Sequence, residues 1–245
     1  MKELREANHQ NNERRQFLRI LLSGSILGIA GFSLWHLEGV DKTRAEPRKP
    51  QEEISPAEDL MREHGVLKRI LLVYGEAVRR LEANESLPLQ AVSASAEIIR
   101  SFIEDYHEKL EEDFLFPRFR KANRFTDLVD LLTEQHKAGR LVTEKILQLV
   151  KSEVINDPQK RGYLAKLLGL FIRMYGPHEA REDTVLFPAI HDILTPDEYD
   201  DMGEEFEEKE HQLFGERGFA SIVDRVAKIE KSLGIYDLAQ FTPKV

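Results

Sequence analysis

His107-Glu-Lys-Leu-Glu-Glu-Asp-Phe-Leu-Phe-Pro117 is echoed further along the chain by His178-Glu-Ala-Arg-Glu-Asp-Thr-Val-Leu-Phe-Pro188, with six of eleven positions identical. Both copies carry His-x-x-x-Glu. Residues four apart share a helix face, so each copy offers an imidazole and a carboxylate pointing the same way. Two such copies on neighbouring helices would make a site for two metal ions. The repeat also reaches upstream: His64 precedes His107 by 43 residues and His136 precedes His178 by 42. A histidine, one helical hairpin and then His-x-x-x-Glu is therefore written twice, which predicts two helix-turn-helix units related by an approximate two-fold axis. Six side chains would converge: His64, His107, Glu111, His136, His178 and Glu182.

A single histidine on an apolar stripe is ordinarily a core residue with its hydrogen bonds satisfied, and a single His-x-x-x-Glu is an ordinary surface pair. The coincidence carries the argument here. Four of the eight histidines fall on predicted inward faces, one per helix, and two are followed by Glu at the same offset. A buried carboxylate is costly unless it is paired or coordinated, so four imidazoles and two carboxylates at one level of a core call for cations. The chain has no cysteine, which excludes disulfides and thiolate metal sites. Imidazole and carboxylate donors suit iron or manganese, with zinc possible.

The 245 residues are 41% hydrophobic and 32% charged, the balance of a folded helical protein with one good-sized core. The net charge of −9 argues against nucleic acid as a partner. Ser55-Pro56-Ala57-Glu58 is a capping box with Pro at the first helical position. Leu60, His64, Leu67, Leu71, Tyr74, Val78 and Leu81 follow as a bundle seam. Asn84–Leu87 forms a turn and Pro88 opens the second helix, whose stripe is Ile99, Ile103, His107, Leu110 and Phe114; Pro117 is expected to end or bend it. Leu128, Leu132, His136, Thr143, Ile146 and Val150 mark the third helix. Asp157-Pro158 caps the fourth, which carries Leu164, Leu168, Phe171, Tyr175, His178, Glu182 and Val185. Gly176-Pro177 within it predicts a kink or break. These elements predict an all-α fold, an up-down-up-down four-helix bundle over 56–190. Additional C-terminal helices follow over 191–245: Thr195-Pro196 caps an acidic helix, Gly215 and Gly218 break the chain, and Ile222, Val226 and Ile229 mark a last amphipathic helix. The final dozen residues are expected to pack against the bundle.

Residues 1–37 read as an export signal or membrane anchor and 38–55 as a linker. Glu13-Arg-Arg-Gln-Phe-Leu-Arg19 precedes an uncharged run from Ile20 to Trp35. The pair Arg14-Arg15 followed by Phe17 and Leu18 resembles the twin-arginine (Tat) signal of bacteria, with Glu13 where that signal usually has Ser or Thr. The run is marginal for spanning about 30 Å of hydrocarbon. The expected location is periplasmic or on the periplasmic face of the inner membrane, with membrane contact through residues 20–37.

The motif set over 56–190, together with the Leu-Phe-Pro that closes each repeat, resembles the hemerythrin-like family, or HHE cation-binding domain. That resemblance implies a four-helix bundle holding a non-haem di-iron centre. Glu111 and Glu182 would bridge two iron ions, His64 and His107 would serve one and His136 and His178 the other. One departure is informative. Oxygen-carrying members have a second His four residues after the third-helix His, where this chain has Arg140, and they space the last carboxylate one residue further along. Four histidines and two carboxylates leave positions open for water, O2, peroxide, NO or added carboxylates. Glu108 and Glu179, next to the motif histidines, lie about 100° round the helix and read as supporting or surface groups. His191 reads as exposed, and His211 as part of a solvated acidic face.

The leading expectation is a di-iron protein of the cell envelope that binds O2 or a related small species, for sensing, scavenging or iron handling. A ferritin-like oxidase, peroxidase or ferroxidase is the enzymatic alternative. It would draw on Glu104-x-x-His107 and Glu208-x-x-His211, but it leaves the repeat unexplained, since Tyr175 stands where a Glu would precede His178. A metal-free adaptor bundle with an acidic final third is the other alternative.

Overall fold

The computed structural model describes residues 54–151 and 157–244. The export signal, most of the linker, His9 and His36 lie outside the described residues. Among those described there are six long helical runs, a short 3-10 turn at Leu238–Phe241 and no strand, and no helix is long and apolar enough to cross a membrane.

Helix α1 spans Pro56–Glu82; Ser55 Oγ accepts from the Glu58 N–H and Pro56 sits at the first position, as expected. Asn84, in the left-handed region at φ 57°, turns the chain. The second run, α2, begins at Leu89–Ile98 and continues through a π-helical stretch at Ile99–His107, one α turn at Glu108–Leu110, a second π stretch at Glu111–Leu115 and a closing α segment at Phe116–Lys121. Helix α3 spans Thr126–Val150. Helix α4 spans Pro158–Arg181, with Asp157 accepting from the Gln159 and Lys160 N–H groups, and runs on through a π turn at Glu182–Leu186 into a 3-10 segment at Phe187–Asp192. Two further helices, α5 at Pro196–Phe214 and α6 at Gly218–Leu233, complete the molecule.

Cross-helix pairs fix the directions. His64 meets Asp183 while Leu81 meets Arg161, so α1 and α4 are antiparallel. Glu112 meets His136 while Arg100 meets Glu144, so α2 and α3 are antiparallel as well. Each helix packs on the next and α4 closes on α1, giving the up-down-up-down bundle.

At two prolines the helices run on. Pro117 does not end its helix; the helix continues to Lys121. The π turn just before it already shifts the hydrogen-bond register, with the Phe116 N–H reaching back five residues to the Glu111 carbonyl, so the missing proline donor costs little. At Gly176-Pro177 the chain does not break. Pro177 and Arg173, the residue four back, both lie on the exposed face, where the carbonyl that proline leaves free is open to solvent rather than shut in the core. The α1 stripe is also wider than predicted. Ile70, Val73 and Ala77 are buried while Leu71 and Val78 are only half-buried. The reason is that α5 and α6 cover a second face of α1 and α2: Phe214 packs edge-on against Phe102 and Tyr106, and Arg69 forks onto Glu230 at 2.9 and 2.5 Å. The last residues do not pack as expected, since Tyr236, Leu238 and Phe241 are exposed.

Candidate metal centre

All six motif side chains are buried, none more than 4% exposed. They gather where the first halves of α1 and α3 meet the later parts of α2 and α4. Two groups result: His64, His107 and Glu111, and His136, His178 and Glu182. The glutamates join the groups. Glu182 Oε2 lies 3.1 Å from His178 Nε2 and 3.4 Å from His64 Nε2. Glu111 Oε2 lies 3.4 Å from His136 Nε2 and 3.8 Å from His107 Nε2. Each carboxylate therefore faces one imidazole of each group. In both repeats the motif Glu opens a π turn, and its carbonyl accepts from the Phe of Leu-Phe-Pro.

The outer edge of every imidazole is held. Nδ1 of His64 meets Asp183 at 2.7 Å, Nδ1 of His107 meets Glu63 at 2.6 Å, Nδ1 of His136 meets Glu112 at 3.1 Å, and Nδ1 of His178 meets Gln135 at 2.9 Å. Carboxylate and amide oxygens accept, so in a neutral ring the proton sits on Nδ1 and the Nε2 lone pair faces inward. These four partners were not among the sequence candidates, yet they obey the repeat. The residue before each first histidine, Glu63 or Gln135, supports the second histidine of its own repeat. The acid after each motif glutamate, Glu112 or Asp183, supports the first histidine of the other repeat.

The inner edges have little to satisfy them. His136 and His178 oppose Nε2 to Nε2 at 3.2 Å, and none of the four oxygens of Glu111 and Glu182 has a hydrogen-bond partner. Two donors each about 2.1 Å from a shared cation lie about 3.0 Å apart at a right angle and about 3.4 Å apart at the tetrahedral angle. The inner separations of 3.1 to 3.8 Å are of that size. The donor set and its spacing fit a pair of cations.

Without cations the charges are strained. Burial, and then Glu182, pushes Glu111 well above the usual carboxylate range. Burial would do the same to Glu182, but His178 and His64 override it and hold Glu182 low. Burial would depress His64, yet Asp183 and Glu182 lift it to about 9, whereas burial outweighs Glu112 and takes His136 down to about 4.

Arg140 occupies the neighbouring space. Its guanidinium lies 2.7 Å from Glu108 and 2.8 Å from Glu112, and Glu108 also accepts from the Tyr175 hydroxyl at 2.6 Å. Glu108 and Glu179 are buried, so neither is a surface group. His191 is exposed and its ring lies tilted against that of Tyr199. His211 is 61% exposed beside Glu216, outside both groups, so the Glu208-x-x-His211 string of the ferritin-like alternative does not reach the centre.

The sequence profile described as Hemerythrin HHE cation binding domain matches residues 55–190. The chain is also 48% identical over 233 residues to the uncharacterized proteins Mb2018 of Mycobacterium bovis and Rv1995 of Mycobacterium tuberculosis, covering 94% of this chain and 91% of each relative. No solved structure matches it significantly.

Proposed function

The chain belongs to the hemerythrin HHE cation-binding domain family, and from that premise we propose that it is a di-iron protein of the cell envelope that binds O2 or a related small species such as peroxide or NO. His64 and His107 would hold one iron, His136 and His178 the other, with Glu111 and Glu182 between them. The observation that carries this reading is the inner edge of the site: two Nε2 atoms opposed at 3.2 Å and carboxylate oxygens without hydrogen-bond partners, set at cation-sharing distances in a buried core. When bound, a ferrous pair supplies two one-electron reductants side by side and Lewis-acidic positions for a small ligand. The chain's own part is to orient the donors and to exclude water. Glu63, Glu112, Gln135 and Asp183 fix the ring directions, and Phe187 and Phe116 stack on His64 and His136 from the apolar side.

Arg140 argues for sensing, scavenging or iron handling over reversible carriage, because the position that carriers give to a fifth histidine holds a cation that neutralises Glu108 and Glu112. The envelope part of the proposal rests on Arg14-Arg15 and the uncharged run after it. Replacing both arginines by lysine should retain the protein in the cytoplasm on cell fractionation.

Anaerobic purification with metal quantification, followed by optical spectra on adding O2, tests the centre. Two iron ions per chain and a new charge-transfer band are expected, both lost in Glu111→Gln/Glu182→Gln. Zinc alone with no spectral change would overturn the O2 chemistry, and absence of any transition metal would leave a structural bundle.

A further inference from the structure

Behind His107 lies a second cluster of acids, joined to the His/Glu centre through Glu63. Carboxylate oxygens of Asp59, Glu63 and Glu210 all lie within 4.8 Å of one another. Asp59 is 7% exposed and Glu63 fully buried. Glu63 turns Oε2 to His107, while its Oε1 is buried without a well-formed hydrogen bond, the Tyr106 hydroxyl beside the same three acids being the nearby donor to that carboxylate. Among the described residues, the one guanidinium or ammonium within ion-pair distance of the cluster is that of Arg62, 3.4 Å from Asp59 and stacked over Phe219.

Glu210 comes from α5, beyond the matched family region, and is held in place. The Phe219 N–H donates to its Oε1 at 2.7 Å, and it packs so closely on Gly218 that a Cβ there would lie 2.0 Å from that oxygen. Asp59 and Glu210 also line a cavity of about 370 Å³, together with Glu207 and Glu216 and against Arg62 and Arg217. The cluster thus joins a solvent-reached cavity to a buried, unpartnered carboxylate oxygen. Burial, and then Glu63 and Glu210, lifts Asp59 to about 7, as crowding among acids does.

We propose that Asp59, Glu63 and Glu210 form a third divalent-cation site, made of oxygen ligands alone and set between the C-terminal cavity and the His/Glu centre. Oxygen-only donors select hard cations such as Mn²⁺, Fe²⁺, Mg²⁺ or Ca²⁺ over softer ones. Three carboxylates drawn together with one arginine gain most from a divalent charge, and beside the Glu63 oxygen the Tyr106 hydroxyl offers a neutral donor rather than a charge.

Mn²⁺ titration of the full chain, with free ion read from its six-line EPR signal, tests this directly. Three bound ions per chain are expected, the third at least tenfold weaker in Glu210→Gln, which keeps the shape and the bond to Phe219. Gly218→Ala, which drives the Glu210 carboxylate out of place, should do the same, with unchanged helicity by circular dichroism. Saturation at two ions, or a third ion unaffected by both variants, overturns the site while leaving the His/Glu centre intact. A single ion lost in Glu210→Gln would instead sustain the third site and sink the two-iron reading.

Discussion

His64, His107, His136 and His178 each commit Nδ1 to a side chain and keep Nε2 for the interior, so the supporting residues set the direction of every donor. Such partners are worth about 10–100-fold in metal affinity. Asp183→Ala frees the His64 ring and should weaken one of two bound ions by about that factor while sparing the other; competition titration against a chelator measures it. Asp59 supplies a pH test. Its folded pKa of about 7 exceeds the ordinary value of 3.8, so between these the folded chain holds more protons than the unfolded one and stability falls as pH rises. Burial, then Glu63, Glu210 and Glu207, pushes it up and Arg62 opposes. In chelator-treated protein, Asp59→Asn should therefore melt higher than the parent at pH 8 and alike near pH 4; equal melting at pH 8 would contradict this. The ligand candidates were legible in sequence because helical spacing places i and i+4 on one face. Their partners were not, because a residue next to a ligand points about 100° away and finds its imidazole only through another helix. Only the repeat itself, acid or amide before the first histidine and acid after the motif glutamate, marked them.

At the level of elements, apolar periodicity and caps were enough to place the helices, as Ser55, Asp157 and the Thr195 capping box show. The π turns were not legible, because no residue type demands them; they depend on what the turn must reach in three dimensions. The contact of α3 with α4 was equally hidden. Gly139 is buried where a Cβ would come within 2.0 Å of the Tyr175 hydroxyl and 2.8 Å of its ring. Tyr175 is buried and donates to Glu108, so it has little room to yield. Gly139→Ala should cost about 1–3 kcal/mol in denaturant unfolding despite the better helix propensity of alanine. Metal content should fall less than stability, since the six donors are untouched.

For the whole molecule, the four-helix bundle was legible and the role of residues after 192 was not. The acidic helix read as a solvated face and Ile222, Val226 and Ile229 as an amphipathic one; both α5 and α6 bury side chains, Met202 and Phe206 from the first, Ile222 and Val226 from the second. Phe206 packs on Phe114, Phe214 on Phe102, and Arg80 donates to the Leu233 carbonyl at 2.6 Å. A chain stopped after residue 192 should expose Phe102 and Tyr106, bind an apolar dye and elute as aggregates in gel filtration. Normal elution and a parental melting curve would show that the hairpin is dispensable.

The paired π turns also set which deletions the chain tolerates. Geometrically a π turn is an α turn that has taken in one extra residue, and here it begins at the corresponding glutamate in both halves, Glu111 and Glu182. Removing one residue from either turn would rotate the stretch behind it by about 100° relative to the stretch before it, taking Phe116 off the His136 ring or Phe187 off the His64 ring.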